Sequence, residues 1–329
     1  MARSSGRHQQ RESSMPEVKP RRVALIGAPA DVGAAKRGSS MGPEALRVAG
    51  LHEALERLGC EVVDHGNVSG PIRRPAAPIG GYRHLDDVVA WAAAVRDAVG
   101  LALDAGEVPI VMGGDHSLAV GSVAAVAARV EGPLTVLWLD AHSDFNTPES
   151  SPSGNLHGMP AAVLAGHGPA PLLGLMARTP VVDPAGLIEI GVRSVDAVER
   201  RLVLDDGVTV FDMRDIDERG MRAVMEDALT AAARRGGHLH VSLDVDFLDP
   251  SIAPGVGTPV PGGPTYREAQ LCMEMIYDAR LLGSLDVMEL DPSRDVRNTT
   301  AALVVELIAS LFGQQILARP PAQRTEPHP

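Results

Sequence analysis

The sequence predicts a single α/β domain, a three-layer sandwich whose mostly parallel sheet of roughly eight strands carries helices on both faces. Two observations predict it. From Arg22 to Leu317, short β-branched or apolar runs alternate with longer segments of helical periodicity, the pattern that specifies a parallel sheet covered on both sides. The polar residues of interest gather just after four of those runs, near Met112, Asp140, Asp246 and Leu290. In an open parallel sheet ligands bind outside the carboxyl ends of the strands, so the chemistry falls where this architecture would put it. A chain of 329 residues buries a core of that size, and neither an internal repeat nor a linker interrupts it.

Taken in order, the strands are expected at 22–28, 61–65, 108–112, 134–140, 187–192, 208–212, 238–246 and 284–290. Each is a short β-branched or apolar run, and helices fill the intervals. One helix begins at Gly42-Pro43, because proline suits the first turn, where its missing N–H costs nothing. Another begins at Thr265-Tyr-Arg-Glu268, a capping box in which two orphan amides are satisfied reciprocally. The folded α/β domain is expected to span 22–318. Residues 1–21 read as a disordered leader and 319–329 as a disordered tail, since both are polar and lack apolar periodicity.

Composition excludes several classes of function. Net charge is -12, from 30 basic and 42 acidic residues, which argues against a nucleic-acid surface. The polar N-terminus lacks the apolar core of a secretory signal, and no stretch is long enough to span a membrane. Cys60 and Cys272 are the only cysteines and lie far apart in sequence, so neither a disulfide framework nor a thiolate metal site is expected. A reducing cytoplasm is the expected location.

Two carboxylate clusters dominate the chain: Asp140-Ala-His142-Ser-Asp144 after LTVLW, and Asp244-Val-Asp246 after HLHVSL. In extended backbone alternate side chains share a face, so Asp140, His142 and Asp144 should converge, as should Asp244 and Asp246. Four carboxylates gathered without counter-ions would raise one another's pKa values and oppose folding, so the arrangement implies cations. Gly113-Gly-Asp-His116-Ser adds an imidazole. Alone, a histidine after a strand is more often a hydrogen-bonded loop residue; beside the two clusters His116 reads as a ligand. The alternatives are a turn or cap at Asp140-Ala-His142 and a solvated strand end at SLDVD, while Asp249-Pro250 reads as a turn. Asp115, His238 and Asp291 read as structural, and His240 and Ser242 share the face of Asp244 and could support the ligands.

The ligand set is then His116, Asp140, His142, Asp144, Asp244 and Asp246, too many for one ion. Two divalent ions about 3.5–4 Å apart, with bridging carboxylates and a bridging water, suit it. Oxygen-rich donors without thiolate favour Mn2+, with Co2+ or Fe2+ admissible. Four carboxylates, two dications and a hydroxide sum to a net negative site, which welcomes a cationic substrate.

These motifs, GGDH, DAHSD and SLDVDFLDP, resemble the arginase and agmatinase (ureohydrolase) superfamily. The resemblance extends from IGAP at 26–29 and GPEALR at 42–47 through GVGTPVPGGPTYRE at 255–268 to LDVMELDP at 285–292. It implies an arginase-like fold and a binuclear manganese hydrolase that attacks a guanidinium carbon and releases urea. SGNLHG at 153–158 looks like arginase rather than agmatinase. By that similarity Asn146, Ser153 and Asn155 hold the α-carboxylate of arginine, and Asp196 receives the α-ammonium, with Glu199 a weaker, water-mediated contact. His157 matches the proton-shuttle histidine, Glu289 the carboxylate that receives the guanidinium, and Thr258 a residue lining its pocket. The implied reaction converts L-arginine and water to L-ornithine and urea by attack of a metal-bridging hydroxide, with Asp144 carrying a proton to the leaving amine. Asp196-Ala-Val-Glu199 and Met159 depart from the common pattern and bear on substrate preference. The rival readings are an agmatinase or other guanidino-compound ureohydrolase, and a non-catalytic guanidine sensor. A homotrimer or homohexamer is the oligomer the resemblance implies.

Overall fold

A computed structural model describes residues 21–317. The expectations for the leader and the tail therefore lie, Arg21 apart, outside the described residues. Arg21 itself donates to the carbonyl of Leu282 and lies over the Phe312 ring.

The strands are β1 (Arg22–Gly27), β2 (Glu61–Asn67), β3 (Val108–Met112), β4 (Leu134–Leu139), β5 (Leu187–Val192), β6 (Thr209–Asp212), β7 (His238–Asp244) and β8 (Leu282–Met288). They form one sheet in the order β2-β1-β3-β8-β7-β4-β5-β6, and every neighbouring pair is parallel. The four central strands, β3, β8, β7 and β4, are those whose carboxyl ends precede the sequence motifs.

Helices α1 (Gly42–Val48), α2 (Leu51–Arg57), α3 (Leu85–Asp104), α4 (Ala119–Ala127), α5 (Pro160–Leu164), α6 (Ala170–Leu173), α7 (Glu199–Asp206), α8 (Met213–Arg235), α9 (Tyr266–Ala279) and α10 (Thr299–Leu311) divide between the faces. One core packs α1, α2, α8, α9 and α10 against residues such as Leu25, Leu139, Ile190, Val241 and Val287. The other packs α3 to α7 against Ile26, Val111, Val136 and Trp138. None of the described helices is long and apolar enough to cross a membrane, and both cysteines are free thiols.

Pro43 stands in the first turn of α1, and Thr265 caps α9 through the reciprocal bonds the sequence implies. Thr265→Ala should lower unfolding free energy by about 1 kcal/mol in denaturant titrations, the usual cost of a lost N-cap.

The structure differs from the sequence expectations in two respects that matter for function. First, the strands stop earlier: β4 ends at Leu139, β7 ends at Asp244 and passes into a 3-10 turn at Val245–Phe247, and β8 ends at Met288. Asp144 and Glu289 lie in loops with φ of 51° and 63°. Short polar side chains tolerate that left-handed region, which ends a strand by turning the chain out of the sheet. Second, the strands are not uniformly apolar. β7 presents His238, His240, Ser242 and Asp244 to one face, and β8 adds Ser284 and Asp286 beside them. Ser284 Oγ lies 2.8 Å from both His238 Nε2 and His240 Nδ1, and His240 Nε2 lies 3.0 Å from Asp286 Oδ2. A buried polar stripe survives because its members satisfy one another.

Candidate metal centre and cleft

The predicted ligands arrive from the carboxyl ends of three central strands, β3, β7 and β4. His116 follows β3 in a 3-10 turn capped by Asp115, whose side chain accepts from Ser117 N. Asp140, His142 and Asp144 follow β4; Asp244 closes β7, and Asp246 sits in the turn beyond it. His116 Nδ1 lies 3.2 Å from Asp140 Oδ2, 3.2 Å from Asp144 Oδ2 and 3.1 Å from Asp244 Oδ2. His142 Nδ1 lies 3.2 Å from Asp246 Oδ2 and 3.5 Å from Asp140 Oδ1. His116, Asp140 and Asp244 form one group with donor atoms within 4.8 Å of one another, and Asp140, His142 and Asp246 form a second. Asp140 is common to both, and Asp144 stands beside the first on the cleft side.

The electrostatics of the cluster suits a group of candidate cation ligands. Burial, then the Asp246 and Asp140 charges, push the Asp244 carboxyl well above the usual range. Burial and then Asp140 raise Asp144 to about 6. Burial opposes charging of His142, but Asp246 and Asp140 overcome it and lift the imidazole to about 12. Burial likewise opposes charging of His116, and the three carboxylates around it prevail. Carboxylates that repel one another and imidazoles that hold protons as substitute counter-ions are what a cation would relieve. The donor set, two imidazoles with four carboxylates and no thiolate, fits hard to borderline divalent ions.

Supporting contacts orient the ligands. Ser242 Oγ lies 2.9 Å from His116 Nε2, consistent with the supporting role its place on the Asp244 face suggested; His240 points instead to Asp286. Trp138, not singled out in the sequence, stacks on His116 at 4.1 Å between ring centroids, and its Nε1 donates to Asp140 Oδ2 at 3.0 Å. Its signal was alternation, since it lies two residues before Asp140 on the same face. Thr258 Oγ1 donates to Asp246 Oδ2 at 2.9 Å. Asp115 accepts from Gly33 N at 2.8 Å, and burial and then Glu289 raise its carboxyl to about 6.

Over the cluster opens a cleft of about 160 Å³ whose walls include His142, Asp144, Asn146, Ser153, Asn155, His157, Asp196, Glu199, Asp244, Thr258 and Glu289. Every expected substrate-binding and catalytic residue is therefore on its surface, while His116, Asp140 and Asp246 lie beneath. A second arm of about 240 Å³ shares His157, Thr258 and Glu289 and adds Lys36, whose Nζ donates to Gly257 O at 2.6 Å. No motif flagged Lys36.

Glu289 Oε1 accepts from His116 N at 3.0 Å and lies 2.9 Å from His157 Nδ1. Burial opposes charging of His157, but Glu289 first, then Asp115 and Asp144, raise it to about 9. Asn146 Nδ2 donates to Asp196 Oδ2 at 3.1 Å, so an amide donor and a carboxylate acceptor stand side by side at the mouth. Glu199 departs from a simple ligand contact: its oxygens accept from Phe145 N at 2.9 Å and Asp196 N at 3.0 Å, bracing the two loops together. Burial raises its carboxyl to about 7.

An acid–imidazole cluster at the carboxyl edge of the central strands of a parallel sheet, opening into a polar cleft, defines a metal-dependent α/β enzyme. The sequence profile of the Arginase family matches residues 21–313. Arginase from Brucella melitensis is 45% identical over 304 residues, covering 90% of this chain and 97% of that protein. Arginase from Bacillus caldovelox is 42% identical over 299 residues, covering 90% of this chain and 99% of that protein. The crystal structure of the Bacillus caldovelox arginase superposes with a TM-score of 0.88 at 41% identity, covering 90% of this chain and all of that one (100%). The chain belongs to the arginase family.

Proposed function

We propose that this protein hydrolyses L-arginine to L-ornithine and urea, using two Mn2+ ions. The observation that carries the reading is the cleft itself: donors for a carboxylate and an acceptor for an ammonium stand at the mouth of a cavity whose floor is the acid–imidazole cluster. His116, Asp140, His142, Asp144, Asp244 and Asp246 would hold the ions, which when bound acidify water toward neutral pH and so supply the nucleophile.

The remaining work falls to the chain. Asn146, Ser153 and Asn155 offer short amides and a hydroxyl to the α-carboxylate, and Asp196 answers the α-ammonium. Glu289 spends Oε1 on His116 N and His157, leaving Oε2 to receive the guanidinium. Thr258 lines that pocket and keeps Asp246 oriented. Expelling an amine requires a proton on its nitrogen; Asp144, at the cleft floor, carries it. His157 is bonded to Glu289 and partly exposed, which suits exchange of protons with solvent. The family resemblance supports a cytoplasmic homotrimer or homohexamer, closed symmetry being the default for soluble oligomers.

Comparing urea release from arginine and agmatine by manganese-loaded protein tests the reading. Agmatine lacks the α-carboxylate, so it leaves the buried Asn146 and Asn155 amides without that partner, at about 1–3 kcal/mol each, or about tenfold to a hundredfold in kcat/KM. Preference for agmatine overturns the arginine assignment, and no urea from either substrate favours a guanidine sensor.

A further inference from the structure

We propose that Glu189 is a positioning residue for this reaction: through Ser143 it holds Asp144 in the left-handed backbone conformation that turns the Asp144 carboxylate toward His116. The inference rests on the proposed hydrolysis for its kinetic readout only.

Asp144 has φ of 51°, a region that is uncommon for non-glycine residues and that aspartate enters more readily than most, so contacts of the flanking residues can hold it there. Those contacts come from both flanks. On one side, Phe145 N donates to Glu199 Oε1 at 2.9 Å. On the other, Ser143 Oγ donates to Glu189 Oε2 at 2.7 Å. Ser143 thus stands between two ligands, His142 and Asp144, and its hydroxyl is tied to the middle of β5. The Asp144 carbonyl is held as well, accepting from Ala161 N at 3.1 Å and Ala162 N at 3.4 Å. A cavity of about 480 Å³, outside the substrate cleft, is lined by Ser143 and Glu189 together with Arg193, Arg200, Val203 and Asp212.

Glu189 occupies a strand position that a parallel sheet ordinarily fills with an apolar side chain. It is fully buried, and its Oε1 has no hydrogen-bond partner. An acid kept there against its desolvation cost asks for a reason, and the bond to Ser143 supplies one. Burial foremost, with the nearby Glu199, Asp140 and Asp144 charges adding to it against the Ser143 bond, holds the Glu189 carboxyl well above its usual range. What the geometry requires of Glu189 is an oxygen that accepts from the Ser143 hydroxyl. Glutamine reproduces that group and leucine does not.

The test compares Glu189→Gln, Glu189→Leu and Ser143→Ala in the manganese-loaded enzyme. Glu189→Gln should stay within about twofold of the parent, while Glu189→Leu and Ser143→Ala lower kcat by about tenfold to a hundredfold, with KM for arginine nearly unchanged. The double variant Ser143→Ala/Glu189→Leu should be no worse than either single one, because both delete the same bond. Independently of turnover, amide hydrogen exchange of residues 142–145 in the metal-free protein should accelerate in Glu189→Leu and Ser143→Ala, but not in Glu189→Gln. Wild-type kcat and exchange in Ser143→Ala overturn the proposal, as does a Glu189→Gln variant as damaged as Glu189→Leu. Should Glu189→Leu not fold, Ser143→Ala, which deletes a single oxygen, carries both readouts. If the parent releases no urea, the proposed function fails while the exchange experiment still decides the positioning role.

Discussion

Asp140→Ala should lower arginine hydrolysis by about a hundredfold to several thousandfold and strip the protein of bound metal. Asp140 is the carboxylate common to both donor groups, is wholly buried, and faces His116 and His142 from one side chain. Deleting one partner of a buried charge cluster costs about 3–5 kcal/mol, and each 1.36 kcal/mol lost at the transition state is about tenfold in rate. Turnover with Mn2+ and elemental analysis of the purified variant check this. A variant that keeps two equivalents of metal and a tenth of its activity would remove the cluster as the reaction centre. The parent should also bind Mn2+ more tightly as pH rises. Burial and the Asp140 charge raise the Asp144 carboxyl to about 6, and, against burial, the Asp246 and Asp140 charges lift the His142 imidazole to about 12, so both lose protons to coordinate. Lower pH refills those sites and competes with the ion. Titrations at pH 6 and pH 8 should show tighter binding at pH 8, with proton release into the buffer.

Glu289→Gln should reduce kcat/KM for arginine by about a hundredfold to a thousandfold, because truncating one member of a buried charge pair costs about 2–5 kcal/mol. The same carboxylate is the leading reason that the His157 imidazole is raised to about 9. With that charge removed, desolvation still disfavours the imidazolium, so the His157 titration midpoint moves down. Imidazole proton or carbon resonances followed against pH in the metal-free variant read that shift directly. A midpoint that stays near 9 would show that Asp115 and Asp144 suffice, and that Glu289 does not control the histidine.

Much of this site was legible from sequence because its residues come in short runs at strand ends. GGDH, DAHSD and SLDVD each place ligands within a few positions of an apolar run, and the parallel sheet brings the ends of β3, β4 and β7 to one edge. The local reason for convergence was different, however. Alternation places side chains on one face only while the backbone is extended, yet Asp144 has φ of 51° and Asp246 lies in a 3-10 turn. Tight turns achieve what strand geometry was expected to do. Glu289 similarly stands one residue beyond β8, where its positive φ swings the carboxylate back to His116 N.

What the sequence by itself carried is the inventory: an α/β sheet and six candidate ligand side chains, which follow from local patterns of hydrophobicity and spacing, and a loop whose suitability for an amino-acid substrate follows from the family resemblance. Only the tertiary structure decided that Asp140 is common to both donor groups, that β7 and β8 carry a buried polar stripe, that Glu199 braces two loops, and that Glu189 reaches Ser143. Those pairings join side chains such as His116 and Asp244, 128 residues apart, or Ser143 and Glu189, 46 apart. Strand order and packing choose such partners, and no local rule of spacing contains them.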